Sequence, residues 1–400
     1  MSDDDLGERM TENHQSDPGP RDTQSSWGRI LGRGILIALV IIVVPRLMRS
    51  GSNIDPGTMA YVNADLDLYD GKLDQAITEY TALIKSNPND VRAYAGRGEA
   101  YRRKRDDPRA IADFAAAIER DPRSYDAFLG RCRANRDSGA TDRAVADCRQ
   151  ATTIATNKTE PLLLLGHMLL ARGEIADAKA QFEAAVALQT EPLSGDDARI
   201  FRGLIALFHE NRPAAAVEDF AAAHKRARDR VGGTGLLDAP RLLDGDEQAD
   251  RATVSYLVIW RHIARVRAGQ DDVAEIGASL AQLTDPVRHE WWLQHPINED
   301  PTEARILAIA LKPWPARFIG LYAGKLTPDD VRVAATQTDG NAAARAQRAC
   351  DADLYLGIYL AEKSARDEAI KLLQAAATSS CAAAPSQAGF AKAELARISS

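Results

Sequence analysis

Residues 91–124 read VRAYAGRGEAYRRKRDDPRAIADFAAAIERDPRS, and the 34 residues after them repeat the same pattern of small and apolar side chains. Alanines recur at a constant spacing of 34 residues, and an aromatic residue or a cysteine stands four positions after each. The alanines are Ala76, Ala110, Ala144 and Ala178, and the residues that follow them are Tyr80, Phe114, Cys148 and Phe182. A fixed period of this length indicates a stack of similar helical units.

Each period predicts two antiparallel helices. Twelve positions before each alanine stands another small residue, and these residues are Ala64, Gly98, Cys132 and Gly166. Small residues let the two helix axes approach, and the aromatic residue fills the space between neighbouring hairpins. Pro88 and Pro122 end the second helices of the first two units because proline cannot continue the hydrogen-bond ladder. One hairpin cannot bury its own apolar faces, so the hairpins must stack.

This pattern resembles the tetratricopeptide repeat, which implies an all-α, TPR-type α-solenoid of helical hairpins. The resemblance implies five repeats over residues 57–230, a linker over 231–250 and a degenerate sixth repeat over 251–285. A connecting helical region follows over 286–349, and a last TPR-like hairpin with a capping helix over 350–398. The composition agrees, with 45% hydrophobic and 6% aromatic residues and few strand signals.

The amino-terminal residues differ from the rest. Residues 1–26 form an acidic, polar segment that is predicted to be disordered. Residues 27–48 are apolar enough to cross a bilayer if the flanking arginines reach the interfaces, so they predict a transmembrane signal anchor. A cleaved signal peptide or a buried soluble helix remains open. Arg21, Arg29 and Arg33 precede the strictly apolar residues 34–45, and Arg46 and Arg49 follow them, which favours a periplasmic repeat domain on the inner membrane.

The carboxy-terminal third carries Trp314-Pro315, Gly324-Lys325-Leu326 and Tyr355-Leu356-Gly357. It resembles the ending of NlpI-type envelope tetratricopeptide proteins, which implies an adaptor for envelope enzymes. Those lipoproteins carry a lipidated cysteine after the signal. The first cysteine here is Cys132, so the apolar span would have to serve as the anchor.

The four cysteines form two pairs, each within one predicted hairpin. For Cys350 and Cys381 we favour a disulfide, because the two residues lie at the same end of a hairpin. For Cys132 and Cys148 we favour two small buried core residues over a disulfide.

The chain carries no recognisable catalytic motif, metal-ligand spacing or cofactor loop. His289 and His295 lack a recognisable partner, and we interpret them as surface or core residues. The net charge of −7 gives no basic excess, so nucleic acid is not expected as a partner. We therefore expect a protein that is not an enzyme, although a site within residues 285–351 remains a further alternative.

The first helices of the units form the inner, concave face of the predicted array, called the inner face below. Its candidate peptide-binding residues are Arg92, Arg102, Arg103, Arg133, Arg136, Leu163, His167, Leu170, Phe201, Ile205 and Phe208. The inner face should change from basic to apolar along the array, which suits an acidic or amphipathic peptide. Two alternatives remain: the arginines are a solvated face, or residues after Thr284 cover the apolar part.

These patterns predict a membrane-anchored scaffold that binds other proteins and contacts the bilayer through residues 27–48. Envelope assembly or quality control on the periplasmic side is the function that the resemblance implies. The alternative is a cytoplasm-facing scaffold that recruits soluble proteins to the membrane.

Overall fold

The computed structural model describes residues 56–188, 194–230, 247–284, 314, 316–336, 342–378 and 385–399. These residues form helices joined by turns and contain no strand. The predicted acidic tail and the predicted membrane span lie outside the described residues. None of the helices within the described part of the chain is both long enough and apolar enough to cross a bilayer.

The described residues form seventeen helices, numbered here in chain order. They are α1 (Pro56–Tyr69), α2 (Leu73–Ser86), α3 (Val91–Arg103), α4 (Asp107–Arg120), α5 (Tyr125–Asp137), α6 (Thr141–Ile154), α7 (Glu160–Ala171), α8 (Ile175–Leu188), α9 (Ser194–Phe208), α10 (Pro213–Arg230), α11 (Glu247–Arg267), α12 (Val273–Thr284), α13 (Ala316–Tyr322), α14 (Pro328–Thr336), α15 (Ala342–Glu362), α16 (Arg366–Ala376) and α17 (Pro385–Ser399).

Helices α1 to α10 form five consecutive hairpins, and each hairpin packs against the next. Polar residues cap the first helices at the repeat spacing: the Asp90 side chain accepts a hydrogen bond from the Ala93 amide, and Ser124 accepts one from Ala127. Pro88 and Pro122 follow two residues after α2 and α4 end. Helix α11 begins at Glu247, inside the predicted linker, because Glu, Gln and Ala there are good helix formers.

An aromatic ring lies between neighbouring first helices. A Cβ atom on Gly98 would lie 3.1 Å from Cε1 of Phe114, and one on Gly130 would lie 2.2 Å from the same atom. Phe114 therefore packs against the backbone of its own first helix and against that of the next one. The Tyr80 ring packs in the same way against Gly96. This contact confirms that the aromatic residue fills the space between hairpins.

The carboxy-terminal helices return to the array. Helices α11 and α12 both contact α13, and α14, α15, α16 and α17 then pack in succession. Helix α17 also contacts α7 and α9, which are the first helices of the fourth and fifth hairpins. The end of the chain therefore lies against the inner face of the array.

Candidate docking face

The first helices of successive hairpins touch one another and form the inner face. The contacting pairs are α1 with α3, α3 with α5, α7 with α9, and α9 with α11. Such a face is where helical arrays bind extended or helical segments of other proteins. Its two ends differ in chemistry and in accessibility.

The charged end lies on α3 and α5, and its arginines are paired with carboxylates of the same chain. Nη2 of Arg92 is 2.5 Å from Oδ2 of Asp65, and Nε of Arg103 is 2.8 Å from Oε1 of Glu99. Arg133 pairs with Glu160. This end is therefore a network of both signs rather than the basic surface expected from the arginines alone.

Two more of the predicted arginines lie deeper in this network. Arg102 bridges two hairpins, because it contacts Glu99 on its own helix and Asp137 on α5, each at 2.8 Å. Arg136 also pairs with Asp137 at 2.8 Å. The Arg102 side chain is only 10% exposed, whereas that of Arg92 is 62% exposed. Arg92 is therefore accessible to a partner protein, whereas Arg102 is a structural residue that connects α3 to α5.

The predicted apolar end is buried. The side chains of Leu163, Leu170, Ile205 and Phe208 are at most 9% exposed. Phe390 of α17 stacks on Phe208 with ring centroids 5.1 Å apart. Of the alternatives left open by the sequence, coverage by residues after Thr284 is the one that the structure shows at this end.

His167 lies between the charged and apolar ends. Its ring contacts Phe201 at 4.1 Å and Phe182 at 5.5 Å between centroids, both edge to face. Burial, together with the positive charge of Arg136, lowers the pKa of His167 to about 4. The imidazole is therefore neutral at pH 7 and acts as an aromatic packing group.

Two polar side chains of α17, Glu394 and Gln387, bond to the rest of the protein. Nη2 of Arg267 donates to Oε1 of Glu394 at 2.8 Å, and Glu394 is 1% exposed. Nε2 of Gln387 donates to Oδ1 of Asp351 at 2.6 Å, and Oε1 of Gln387 accepts from Nε2 of Gln347 at 3.0 Å. Sequence reasoning missed these contacts. A carboxylate within the apolar run around Glu394 is the signal that could have pointed to a buried partner.

Asp351 is fully buried and receives hydrogen bonds from four side chains. The donors are Tyr256 Oη at 2.5 Å, Trp314 Nε1 at 2.8 Å, Gln347 Nε2 at 2.9 Å and Gln387 Nε2 at 2.6 Å. Burial raises the pKa of Asp351, and the hydrogen bonds act in the opposite direction. The carboxylate is occupied by structural donors, so it offers no general base for an active site between residues 316 and 351.

Cys132 and Cys148 form a disulfide with Cα atoms 5.4 Å apart. The favoured interpretation as two unpaired core residues is therefore wrong. The cysteines occupy the positions of Gly98 and Phe114 in the second repeat, and the bond replaces the contact of glycine with an aromatic ring. Cys350 is also disulfide-bonded. Cys381 lies outside the described residues, so its pairing with Cys350 stays a prediction.

A second periodic contact was missed from the sequence. Arg97 and Arg131 each form a bidentate ion pair with an aspartate on the second helix of the same hairpin, and Arg202 does the same in the fifth repeat. The aspartates are Asp113, Asp147 and Asp219. The arginines of the second and third repeats are 34 residues apart, as are their aspartates, so the spacing could have revealed them.

The described residues contain no group of histidine, cysteine and carboxylate side chains that could hold a metal ion. His262 and Asp272 line a small cavity between α10, α11 and α12, where Nδ1 of His262 is 2.8 Å from Oδ2 of Asp272. His289, His295 and the Trp291–Trp292 pair lie outside the described residues.

A family model for the tetratricopeptide repeat matches residues 61–124, 108–158 and 163–230. The hairpins from α1 to α10 are tetratricopeptide repeats. The matched residues include most of the inner face, from Arg92 to Phe208. Tetratricopeptide repeats typically serve as non-catalytic modules of protein interaction, which is the general function that the repeats support here.

Several solved structures are similar to parts of the chain. MamA from Desulfovibrio magneticus RS-1 is 16% identical, with a TM-score of 0.39, over 44% of this chain and 98% of that one. YrrB, a TPR protein with an unusual peptide-binding site, is 22% identical, with a TM-score of 0.36, over 47% and 93%. A thermophilic TPR protein from Thermus thermophilus is 19% identical, with a TM-score of 0.34, over 43% and 91%. No curated protein matches the chain in sequence.

Proposed function

We propose that the chain is a membrane-anchored adaptor that binds other proteins on the charged end of its inner face. In this proposal the repeats lie on the periplasmic side, and the adaptor serves assembly or quality control of envelope components. The observation that carries the proposal is the row of partly exposed, ion-paired arginines on α3 and α5, within the matched repeats.

Exposed ion pairs suit a docking surface because they exchange partners at little cost. A surface pair contributes roughly 0–1 kcal/mol, so a partner carboxylate can replace Asp65 at Arg92 or Glu160 at Arg133 without a large penalty. The Glu160 side chain is 55% exposed and can turn to solvent when it is displaced. An acidic or amphipathic segment is therefore the partner that this end fits best.

The disulfides support a periplasmic position. Cys132–Cys148 and the bonded Cys350 are typical of proteins in oxidising compartments and are rare in the cytosol. The apolar residues 27–48 would supply the anchor. The proposal also keeps the similarity of the last third to NlpI-type proteins, which stays a prediction.

The competing proposal is a cytoplasm-facing membrane scaffold, with a role in secretion or division, and topology separates the two. A reporter that is active only outside the cytoplasm, fused after Ser400, should be active in intact cells. Membrane fractions should retain the protein, and removal of residues 1–50 should release it. An inactive reporter, together with free thiols at Cys132 and Cys148, would support the cytoplasmic alternative.

The docking face can be tested with charge reversal on two sides of the array. Arg92→Glu plus Arg133→Glu changes the inner face, and Arg143→Glu plus Arg149→Glu makes the same charge change on exposed residues of α6. Pull-down from detergent-solubilised membranes should lose its specific partners with the first pair only. If the two double variants captured equal amounts of the partners, with folding verified by circular dichroism, the proposed docking face would be contradicted.

A further inference from the structure

Helix α17 occupies the apolar part of the inner face as a ligand helix would. Its Phe390 ring stacks on Phe208 and lies 5.8 Å from the ring of His209. Glu394, four residues after Phe390, pairs with Arg267 at the end of α11. One aromatic side chain and one carboxylate, four residues apart on α17, therefore contact the fifth hairpin and the end of α11.

Arg267 has a second carboxylate within reach. Its Nε atom lies 3.7 Å from Oε1 of Glu362 on α15. Both of these atoms are buried, and neither has a hydrogen-bond partner. A shift of less than about 1 Å would bring them to hydrogen-bond distance. Arg267 would therefore remain paired if Glu394 left, and removing α17 would not leave a buried charge without a partner.

The polar contacts of Gln387 on α17 are also dispensable. When Gln387 departs, Asp351 keeps its hydrogen bonds from Tyr256, Trp314 and Gln347. The Gln347 amide loses its bond to Oε1 of Gln387 but keeps the one to Asp351. Buried polar groups resist separation mainly when separation leaves them unpaired. Arg267 and Asp351, the partners of Glu394 and Gln387, therefore both keep other partners when α17 leaves.

The apolar contact of α17 is small compared with that of its neighbours. On α17, Phe390 and Ala391 are buried and Ala393, Leu395 and Ile398 are partly buried against the core, whereas α15 buries five large side chains. These side chains of α15 are Leu354, Tyr355, Leu356, Ile358 and Leu360. Helix α15 is therefore part of the core, and α17 buries fewer large apolar side chains against it.

We propose that α17 is an exchangeable occupant of the inner face and that a partner protein binds there with a helix of the same chemistry. That helix carries an aromatic side chain, followed four residues later by a carboxylate that pairs with Arg267. The inference rests on the proposed function, since it names the kind of segment that the adaptor accepts. The charged end would then contact the part of the partner that extends beyond this helix.

The test uses the full-length chain and a labelled peptide with the sequence of residues 385–399. A chain with Phe390→Ala plus Glu394→Gln, which weakens its own α17, should bind the peptide at least about tenfold more tightly than the wild type, as expected when a competing occupant is removed. The same two substitutions placed in the peptide should abolish binding. The exposed change Lys392→Gln in the chain should leave binding as in the wild type.

Hydrogen exchange on the wild-type chain gives a second measurement that needs no variant. The amides of α17 should open together and exchange at least about tenfold faster than those of α15 and α16. Equal protection of α17 and α15 would overturn the inference. Loss of protection in α7 and α9 of the weakened chain would also overturn it, because α17 would then be a permanent cap.

Capture of partner protein by the weakened chain tests this inference separately from the proposed function, and the oligomeric state of the chain identifies the occupant. The weakened chain should capture more partner protein than the wild type. If capture is unchanged and Arg92→Glu plus Arg133→Glu still abolishes it, the proposed function stands and this inference fails. Dimers of the wild-type chain that the peptide dissociates would mean that α17 of a second copy is the occupant, which overturns the assignment to another protein.

Discussion

Aromatic side chains of the array lie directly on the backbone of neighbouring helices. Phe114 fills the space where Gly98 and Gly130 lack side chains, and Phe182 and Phe220 meet Gly166 and Gly203 in the same way. Van der Waals contact at this distance leaves no room for a methyl group. The glycines are therefore required by close approach and not by an unusual backbone angle.

Gly130→Ala should lower the free energy of unfolding by about 1–3 kcal/mol, because the added methyl group would overlap the Phe114 ring. Urea denaturation followed by circular dichroism would measure the change. Gly277→Ala on α12 is the matched control, since nothing lies within 4 Å of its Cβ position. That change should stabilise the helix by about 0.5–1 kcal/mol, and a loss of equal size at both positions would exclude the packing explanation.

The lowered pKa of His167 predicts that the folded protein loses stability in mild acid. Its pKa is about 4 in the folded protein and about 6.5 when unfolded, so the unfolded chain takes up the proton first as the pH falls. The stabilisation is present above pH 6.5 and is lost between pH 6.5 and 4, by about 3 kcal/mol in total. His167→Leu should flatten this part of the stability profile, measured by urea titration at each pH. An unchanged slope would show that other groups cause it.

Residue spacing predicts contacts within one hairpin or between neighbours. It places Phe114 and Phe182 correctly because their partners lie at fixed offsets in the same period. It does not decide between two thiols and a disulfide at Cys132 and Cys148, because two small facing residues fit either state. It also reveals the arginines on α3 and α5 but not their partners Asp65 and Glu160, which lie on neighbouring repeats.

At the scale of elements, the hairpin of α5 and α6 differs from the others in how its helices are joined. The second, fourth and fifth repeats use a glycine and an aromatic ring, whereas the third uses the Cys132–Cys148 bond. Covalent closure of a loop of this length, with a sequence separation of 16, stabilises by about 3 kcal/mol.

Reduction should therefore weaken this hairpin selectively. In reductant, the amides of α5 and α6 should lose about 2–4 kcal/mol of protection against hydrogen exchange. Cys132→Ala plus Cys148→Ala removes the bond, and this variant should show the lower protection in α5 and α6 with or without reductant. Equal sensitivity of the variant and the wild type would mean that the bond between these helices is not the cause.

The placement of α17 could not be predicted from periodicity. Arg267 and Glu394 are 127 positions apart, and they meet because α17 packs on α15 and α16 and also against α7 and α9. That arrangement depends on contacts between distant helices, which the period of a single repeat does not specify. The helices themselves are local features, so the sequence indicates their approximate positions from α1 to α10.

At the scale of the whole molecule, the buried core is divided. One small cluster joins α1, α2 and α3, and another holds Ala110, Phe114 and Ala134. A much larger cluster extends from Leu129 to Ala391 and includes the carboxy-terminal helices. The first two repeats therefore depend on nearest-neighbour contacts, while the later repeats share one core.

This division predicts unfolding in at least two steps. Amides in α1 to α4 should exchange through local opening that costs on the order of 2 kcal/mol less than the opening of α7 to α11. Hydrogen exchange at increasing urea concentrations would resolve the two groups. Loss of protection at one common concentration for all these helices would contradict a divided core.

The position of α17 has a consequence for how the protein is made. Because translation proceeds from the amino terminus, the fourth and fifth repeats emerge from the ribosome long before Phe390 is available to cover them. During that interval Leu170 and Phe208 face solvent or a chaperone. A chain released early, before Pro385, would keep that apolar surface uncovered, because it would lack all fifteen residues of α17.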